Sequence, residues 1–261
     1  MSKYYYSLGL MSGTSGDGVD ASIIQSDGDT QYKVILDKYF EYSKDIYQDL
    51  SDLRDKINDS ADLKNLLKET ENLEKKITLF HAEAVNEIIN DSDVNVDLIG
   101  FHGQTIFHNS KEKISRQLGD GKLLSKLSKK IVVYNFRQND LENGGEGAPL
   151  TPIFHKLLVN QYKIDLPVTI LNLGGIANVT HINKNNEISS CDIGPGNCLI
   201  DQWIREHSDR LFDKNGKIAK SGKINNKIVS DALRWTETRD SYDIKDFNDA
   251  FYHFKIFYSI S

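Results

Sequence analysis

The chain has 261 residues, a formal net charge of -6, 39% hydrophobic and 27% charged residues, enough for one large or two modest self-supporting domains and too apolar for wholesale disorder. The acidic balance argues against nucleic acid as the main partner, and two cysteines, Cys191 and Cys198, make neither a disulfide framework nor a zinc site. No stretch approaches the roughly 18 apolar residues of a membrane helix, and the first residues lack the basic-then-apolar pattern of a signal peptide, so the expectation is a cytoplasmic protein.

Residues 4–10 read as a strand running into a Gly/Ser/Thr cluster. Residues 19–25 and 32–40 read as two more strands, so the chain opens on a three-stranded antiparallel meander. Ile46, Leu50, Leu53 and Ile57 recur at helical spacing, and a longer helical pattern spans 62–90, with a charged run at 68–76 that reads as a solvated face. A buried strand is expected at 96–101, feeding a polar loop His-Gly-Gln-Thr. A short helix (121–130), a strand (131–136), a glycine-rich loop (144–149) and a helix (150–162) follow. Strands at 168–173, 176–183 and 188–193 and helices at 197–207 and 225–235 complete the pattern. The class is α/β, a sheet covered by helices.

Five segments carry candidate chemistry. In the first, residues 9–20, a strand enters, Gly13, Thr14, Ser15, Gly16, Asp17 and Gly18 turn, and Val19 and Asp20 begin the strand out. Glycines let backbone N–H groups approach a phosphate, and Asp17 and Asp20 are hard oxygen ligands suited to magnesium. An ordinary glycine-rich hairpin fits the composition equally well. The spacing is neither a P-loop nor a dinucleotide fingerprint. The second segment, 171–180, turns at Gly174 and Gly175 between two strands. The third, 192–197, places Asp192 at the C-terminal end of a strand before a Gly-Pro-Gly turn and a helix whose N-terminus can face an anion. Asp192 reads either as a cap of that turn or as a general base. The fourth, 101–108, carries Gln104 and Thr105, able to bond sugar hydroxyls or an amide, and His102 and His108, which suit a structural role better than a catalytic one. The fifth, 135–150, carries Arg137, either an idle surface cation or a bidentate carboxylate clamp.

The strings GLMSGTSGDGVD, FHGQTIFH, NFRQNDLENGGEGAPLTPIFH, NLGGIANVT and CDIGPGNCLIDQWI, in this order and spacing, resemble the anhydro-N-acetylmuramic acid kinase family of the actin/hexokinase-type ATPase superfamily. The resemblance runs from about residue 5 to 250. It implies a two-lobed actin/hexokinase-like (ribonuclease H-like) fold, with an N-terminal lobe over 1–165 and a C-terminal lobe over 166–261. It also implies a cytoplasmic enzyme of cell-wall recycling that uses ATP and magnesium to convert 1,6-anhydro-N-acetylmuramic acid and water into N-acetylmuramic acid 6-phosphate, and a homodimer. By the same resemblance Asp192 is the general base, and residues 13–20 with Gly174 and Gly175 bind ATP. Gln104, Thr105, Arg137 and Asn197 line the sugar site. Pairing of Arg137 with the lactyl carboxylate is inferred from charge alone.

Three departures from the family pattern stand out. Gly16 replaces a bulky apolar residue, and Asn135 replaces an acidic one. Residues 252–261 no longer resemble the family, and its glycine-rich adenosine-binding stretch is not found, so the second lobe is expected to be incomplete and activity weak or absent. A superfamily kinase for another sugar and a non-catalytic remnant of such a kinase are the competing readings.

Overall fold

The computed structural model describes residues 3–233. Tyr5–Ser12 (β1), Gly18–Ser26 (β2) and Tyr32–Glu41 (β3) form the antiparallel meander, with Leu10 opposite Ala21 and Met11 opposite Asp20. Alternation decides which face is inside: Leu8 and Leu10 on β1, and Val19, Ala21 and Ile23 on β2, are all buried. Leu98–Asn109 (β4) lies parallel to β1, Ile114–Leu118 (β5) pairs antiparallel with the second half of β4, and Ile131–Tyr134 (β6) pairs parallel with its first half. The path β3-β2-β1-β4-β6, three strands of a meander and then two parallel to the first, is the ribonuclease H-like order that the resemblance implies.

Helices Lys44–Lys56 (α1) and Leu67–Asn90 (α3) supply the core with the predicted stripes. Ile46, Leu50, Leu53 and Ile57 are all buried, as are Leu73, Ile77, Ala84, Val85 and Ile88. The long helical pattern is interrupted, however. A short helix, Asp62–Asn65 (α2), ends at Leu66, whose φ of -102° and ψ of 18° leave the helical region, and α3 starts afresh. Helix Gly121–Ser128 (α4) begins at Asp120, whose carboxylate accepts from the N–H groups of Lys122 and Leu123.

Three local expectations are corrected. The polar loop expected after residue 101 is strand: β4 runs straight through His102, Gly103, Gln104 and Thr105, with an extra residue accommodated between the Leu10–Phe101 and Ser12–Gln104 pairs. Gly103 adopts φ +73°, and a Cβ there would lie 2.5 Å from the Leu118 carbonyl oxygen. The second correction is β5 itself, which was not anticipated. The third is the strand expected to reach 136, which ends at Tyr134. Asn135 takes the left-handed conformation, φ 65°, and helix Phe136–Glu142 (α5) starts directly after it.

The chain forms two compact units, 1–150 with 157–163, and 151–156 with 164 onward; helix Pro152–Tyr162 (α6) contributes to both. The second unit opens on its own antiparallel meander, Val168–Leu173 (β7), Ile176–Ile182 (β8) and Ile188–Pro195 (β9), and continues into helices Cys198–His207 (α7), Lys217–Ser221 (α8) and Asn226–Leu233 (α9). The expected end of the last helix at 235 and the expectations for the tail lie outside the described residues. Among those residues no helix is long and apolar enough to cross a membrane.

Candidate active site

The turn joining β1 to β2 is held by its carbonyl oxygens. The Gly13 carbonyl accepts from the Gly16 N–H (3.1 Å) and from Gln104 Nε2 (2.8 Å). The Thr14 carbonyl accepts from Arg54 Nη1 at 2.7 Å, and the Asp17 carbonyl from the Tyr42 N–H at 2.8 Å. A trans peptide points its N–H opposite to its C=O. Fixing the carbonyls of Gly13 and Thr14 against the protein therefore turns the N–H groups of Thr14 and Ser15 the other way, as an anion-binding turn requires. Gly16 sits at φ +69°, and a Cβ on it would come within 3.3 Å of Arg54 Nη1. Val19 is fully buried, so its share in any nucleotide contact is limited to backbone.

Beneath this turn lies a polar group that the sequence reading passed over. Ser12, 1% exposed at the end of β1, has its Oγ 3.0 Å from the Tyr42 hydroxyl and 3.0 Å from His81 Nε2. His81 Nδ1 lies 2.8 Å from the Ile77 carbonyl oxygen, and burial holds the imidazole pKa down at about 4. A carbonyl only accepts, so Nδ1 carries the hydrogen and Nε2 accepts from Ser12. Ser12 in turn accepts from Tyr42. The rings of Tyr42 and Phe80, and of His81 and Phe101, meet edge to face with centroids 4.9 Å apart in each pair. A signal for His81 existed: it falls four residues from both Ile77 and Val85, inside the apolar stripe of α3.

Gln104 and Thr105 stand on β4 and Arg137 on α5, all in the first unit. Gln104 is fully buried and donates to the turn at Gly13; its Oε1 has no partner among the described residues. The Thr105 hydroxyl accepts from Gln117 Nε2 at 3.3 Å. Arg137 is fixed at two points. Its Nε donates to His102 Nε2 at 2.9 Å, and its Nη1 donates to the Gly147 carbonyl at 2.7 Å. His102 can accept because its Nδ1 donates to the Gly103 carbonyl (2.7 Å), while burial, and then the charge of Arg137, keep it neutral with a pKa of about 4. The glycine loop after α5 wraps the Asp140 carboxylate, which accepts from the Gly147 N–H at 2.8 Å. His108 binds Ser115 Oγ at 3.0 Å.

The turn from β7 to β8 repeats the design of the first. The Gly174 carbonyl accepts from the Asn197 N–H (2.8 Å), and the Gly175 carbonyl from the N–H groups of Gly196 (2.9 Å) and Cys198 (3.2 Å). The peptide between Gly174 and Gly175 consequently turns its own N–H away from α7. The first N–H of α7, that of Cys198, thus serves the glycine turn, which leaves the N–H groups from Leu199 onward for any anion at this helix end. Gly196 is required by crowding, since a Cβ would stand 2.2 Å from the Gly174 oxygen. The Asn197 side chain donates to the Leu173 carbonyl at 3.1 Å. Asp192 is 5% exposed on β9, directly opposite Asn178 of β8. Its neighbour across the ladder is thus a polar side chain.

Two carboxylates belong to the first turn and the start of β2. Asp17 accepts from Ser15 Oγ at 2.5 Å, and Asp20 has its carboxyl pKa raised by burial and then by the charge of Asp17, so two carboxylates stand close enough to repel. Burial and the charges of Asp17, Glu41 and Asp20 likewise push the Tyr39 phenol upward. Among the described residues no group of three or more His, Cys, Asp or Glu could hold a metal. The two carboxylates fit an ion that takes one or two protein oxygens and fills its shell with water and phosphate.

Comparison with known proteins gives a consistent answer. A family model described as anhydro-N-acetylmuramic acid kinase matches residues 4–236. The chain is 57% identical over 258 residues to an anhydro-N-acetylmuramic acid kinase of Pelagibacter ubique, covering 96% of this chain and 69% of the relative. It is 37% identical over 262 residues to one of Agrobacterium fabrum (95% and 69%) and 38% identical over 226 residues to one of Brucella canis (83% and 60%).

Proposed function

The chain belongs to the anhydro-N-acetylmuramic acid kinase family, and on that footing we propose that it is an ATP-dependent kinase that opens and phosphorylates 1,6-anhydro-N-acetylmuramic acid. In this reading Asp192 takes a proton from water as the water oxygen bonds to the anomeric carbon. The bridging C1–O6 bond breaks, O6 accepts the γ-phosphoryl group, and ADP leaves. Phosphoryl transfer needs mainly positioning and charge stabilisation. The backbone N–H groups at Thr14, Ser15 and Gly175 suit the phosphates. Magnesium, held by Asp17 and Asp20 together with water and phosphate oxygens, would supply charge screening.

Arg137, oriented by His102 and Gly147, suits the lactyl carboxylate. Gln104 enters the reading as a brace of the first turn, with Thr105 and Asn197 as further sugar-site candidates. A cytoplasmic homodimer acting in cell-wall recycling completes the proposal.

The observation that carries it is that both glycine turns are anchored through their carbonyls, which turns the adjoining peptide N–H groups opposite to those anchors. The test is incubation of the purified chain with magnesium-ATP and the anhydro sugar in 18O-water. The expected product is N-acetylmuramic acid 6-phosphate with the heavy oxygen at C1 and none in the phosphate. Phosphorylation of glycerol or free N-acetylmuramic acid in place of the anhydro sugar defeats the reading, and no turnover of any of these acceptors favours the non-catalytic remnant instead.

A further inference from the structure

We propose that His81, Ser12 and Tyr42 are positioning residues that set the geometry of the first phosphate turn; the inference rests on the kinase reading and extends it to groups outside the proposed phosphate and sugar contacts. Tyr42 grips the turn at both ends. Its backbone N–H holds the Asp17 carbonyl at the exit, and its hydroxyl holds Ser12 at the entrance, 3.0 Å away. His81 ties that same serine to α3.

Every hydrogen in the chain has one direction. Tyr42 O–H donates to Ser12, Ser12 O–H to His81 Nε2, and His81 Nδ1–H to the Ile77 carbonyl. The chain therefore cannot reverse without stranding a buried donor or acceptor, which makes it a rigid setting. Nothing in this chain requires polarity for packing alone. Apolar side chains fill the neighbouring places in the same core, at Ile77, Val85 and Phe101 among others. Two polar side chains, Tyr42 from the connection between β3 and α1 and His81 from α3, converge on Ser12 just before the turn and place the restraint where a small displacement moves the N–H groups of Thr14 and Ser15. Displacing catalytic or binding groups by fractions of an ångström has large effects on transition-state stabilisation.

The test uses Tyr42→Phe, Ser12→Ala, His81→Leu and His81→Gln in the full chain. Gln keeps an acceptor for the Ser12 hydroxyl; Leu does not. In steady-state assays the expected result is a rise in KM for magnesium-ATP of about tenfold for Tyr42→Phe and His81→Leu, a smaller rise for His81→Gln, and a KM for the sugar within about twofold of the parent. Amide hydrogen exchange at residues 13–18 should accelerate in the same rank order. Tyr42→Phe changes one atom, so it stands as the readout even if His81→Leu fails to fold. Unchanged KM for ATP and unchanged exchange at 13–18, with only a lowered Tm, would overturn the proposal. If the parent chain turns over no anhydro sugar, the kinase reading fails separately. The relay is then judged by magnesium-ATP binding in calorimetry and by the same exchange measurement: weaker binding with faster exchange supports it, and parental values for both overturn it.

Discussion

The two glycine turns solve one problem with different means. In each, the residue following the third strand of a meander donates its N–H to a carbonyl of the first turn: Tyr42 to Asp17 in one unit, Gly196 to Gly175 in the other. The first turn is then reinforced by side chains, with Gln104, Arg54, Tyr42 and, through Ser12, His81 drawn from four other elements. The second is reinforced by backbone, with three N–H groups of residues 196–198 closing on two carbonyls. Their surroundings differ accordingly. The first rests on an extensive apolar core, whereas on β7 Leu171 and Leu173 are 53% and 60% exposed. A turn held by side chains can be tuned by single substitutions, while a turn held by peptide groups responds mainly to changes that block backbone approach.

That contrast can be tested by degrees. The largest effect should come from Asp192→Asn, which keeps the shape of the side chain opposite Asn178 and removes the proposed base. We expect kcat to fall by about 10²–10⁴-fold with folding intact. A fall of less than about tenfold would take Asp192 out of the base role.

Next comes a paired substitution. Gly196→Ala must push a Cβ into the Gly174 carbonyl at 2.2 Å, backbone against backbone, and should cost about 3 kcal/mol together with most ATP binding. Gly16→Ala meets only the end of the Arg54 side chain at 3.3 Å, so its cost is mainly the left-handed backbone, about 1 kcal/mol. Denaturant titration of both variants measures the difference, and equal losses would erase the distinction between the turns.

Acid supplies the third test. His81 and His102 are held near a pKa of about 4 in the folded chain, against an ordinary 6.5. The unfolded chain therefore binds protons that the folded chain refuses. The stability associated with the neutral rings is intact above about pH 6.5 and is lost as pH falls toward 4, by up to about 3 kcal/mol for each. His155 in the second unit, bonded to Thr180 Oγ1 at 2.8 Å, is also lowered by burial but remains more accessible. Hydrogen exchange at pH 5 should show the first unit loosening ahead of the second, and His81→Gln should flatten the dependence. Loosening in the opposite order would contradict this assignment.

The sequence made much of this legible because period and composition act locally. The meander strands, the α1 stripe and the Gly174-Gly175 turn follow from alternation, helical spacing and glycine chemistry within a dozen residues. What escaped depended on distant partners. His102, Gly103, Gln104 and Thr105 look like a loop because they are polar, yet they lie within β4, where β1 and β5 pair with Gln104 and β5 with Thr105. Gln104 carries the chemistry of a sugar ligand on its face, but the bond of its amide to Gly13, 91 residues away in sequence, has no local sign. Arg54, which holds Thr14 across 40 residues, carries no local mark at all. His81 was visible only as a polar intruder in an apolar stripe.

The extra residue in β4 has a consequence for how this region can change. Before it, Ile99 and Phe101 face the interior; after it, Gln104 and Ile106 do. The most deeply buried positions have passed from Ile99 and Phe101 to Gln104, odd numbers to an even one. A lineage that dropped one residue here would swing the amide of Gln104 to the opposite side of the sheet and leave the Gly13 carbonyl without it, even though every amino acid of the motif survived. Insertions and deletions at position 103 should therefore be harder to tolerate than replacements at most of its neighbours.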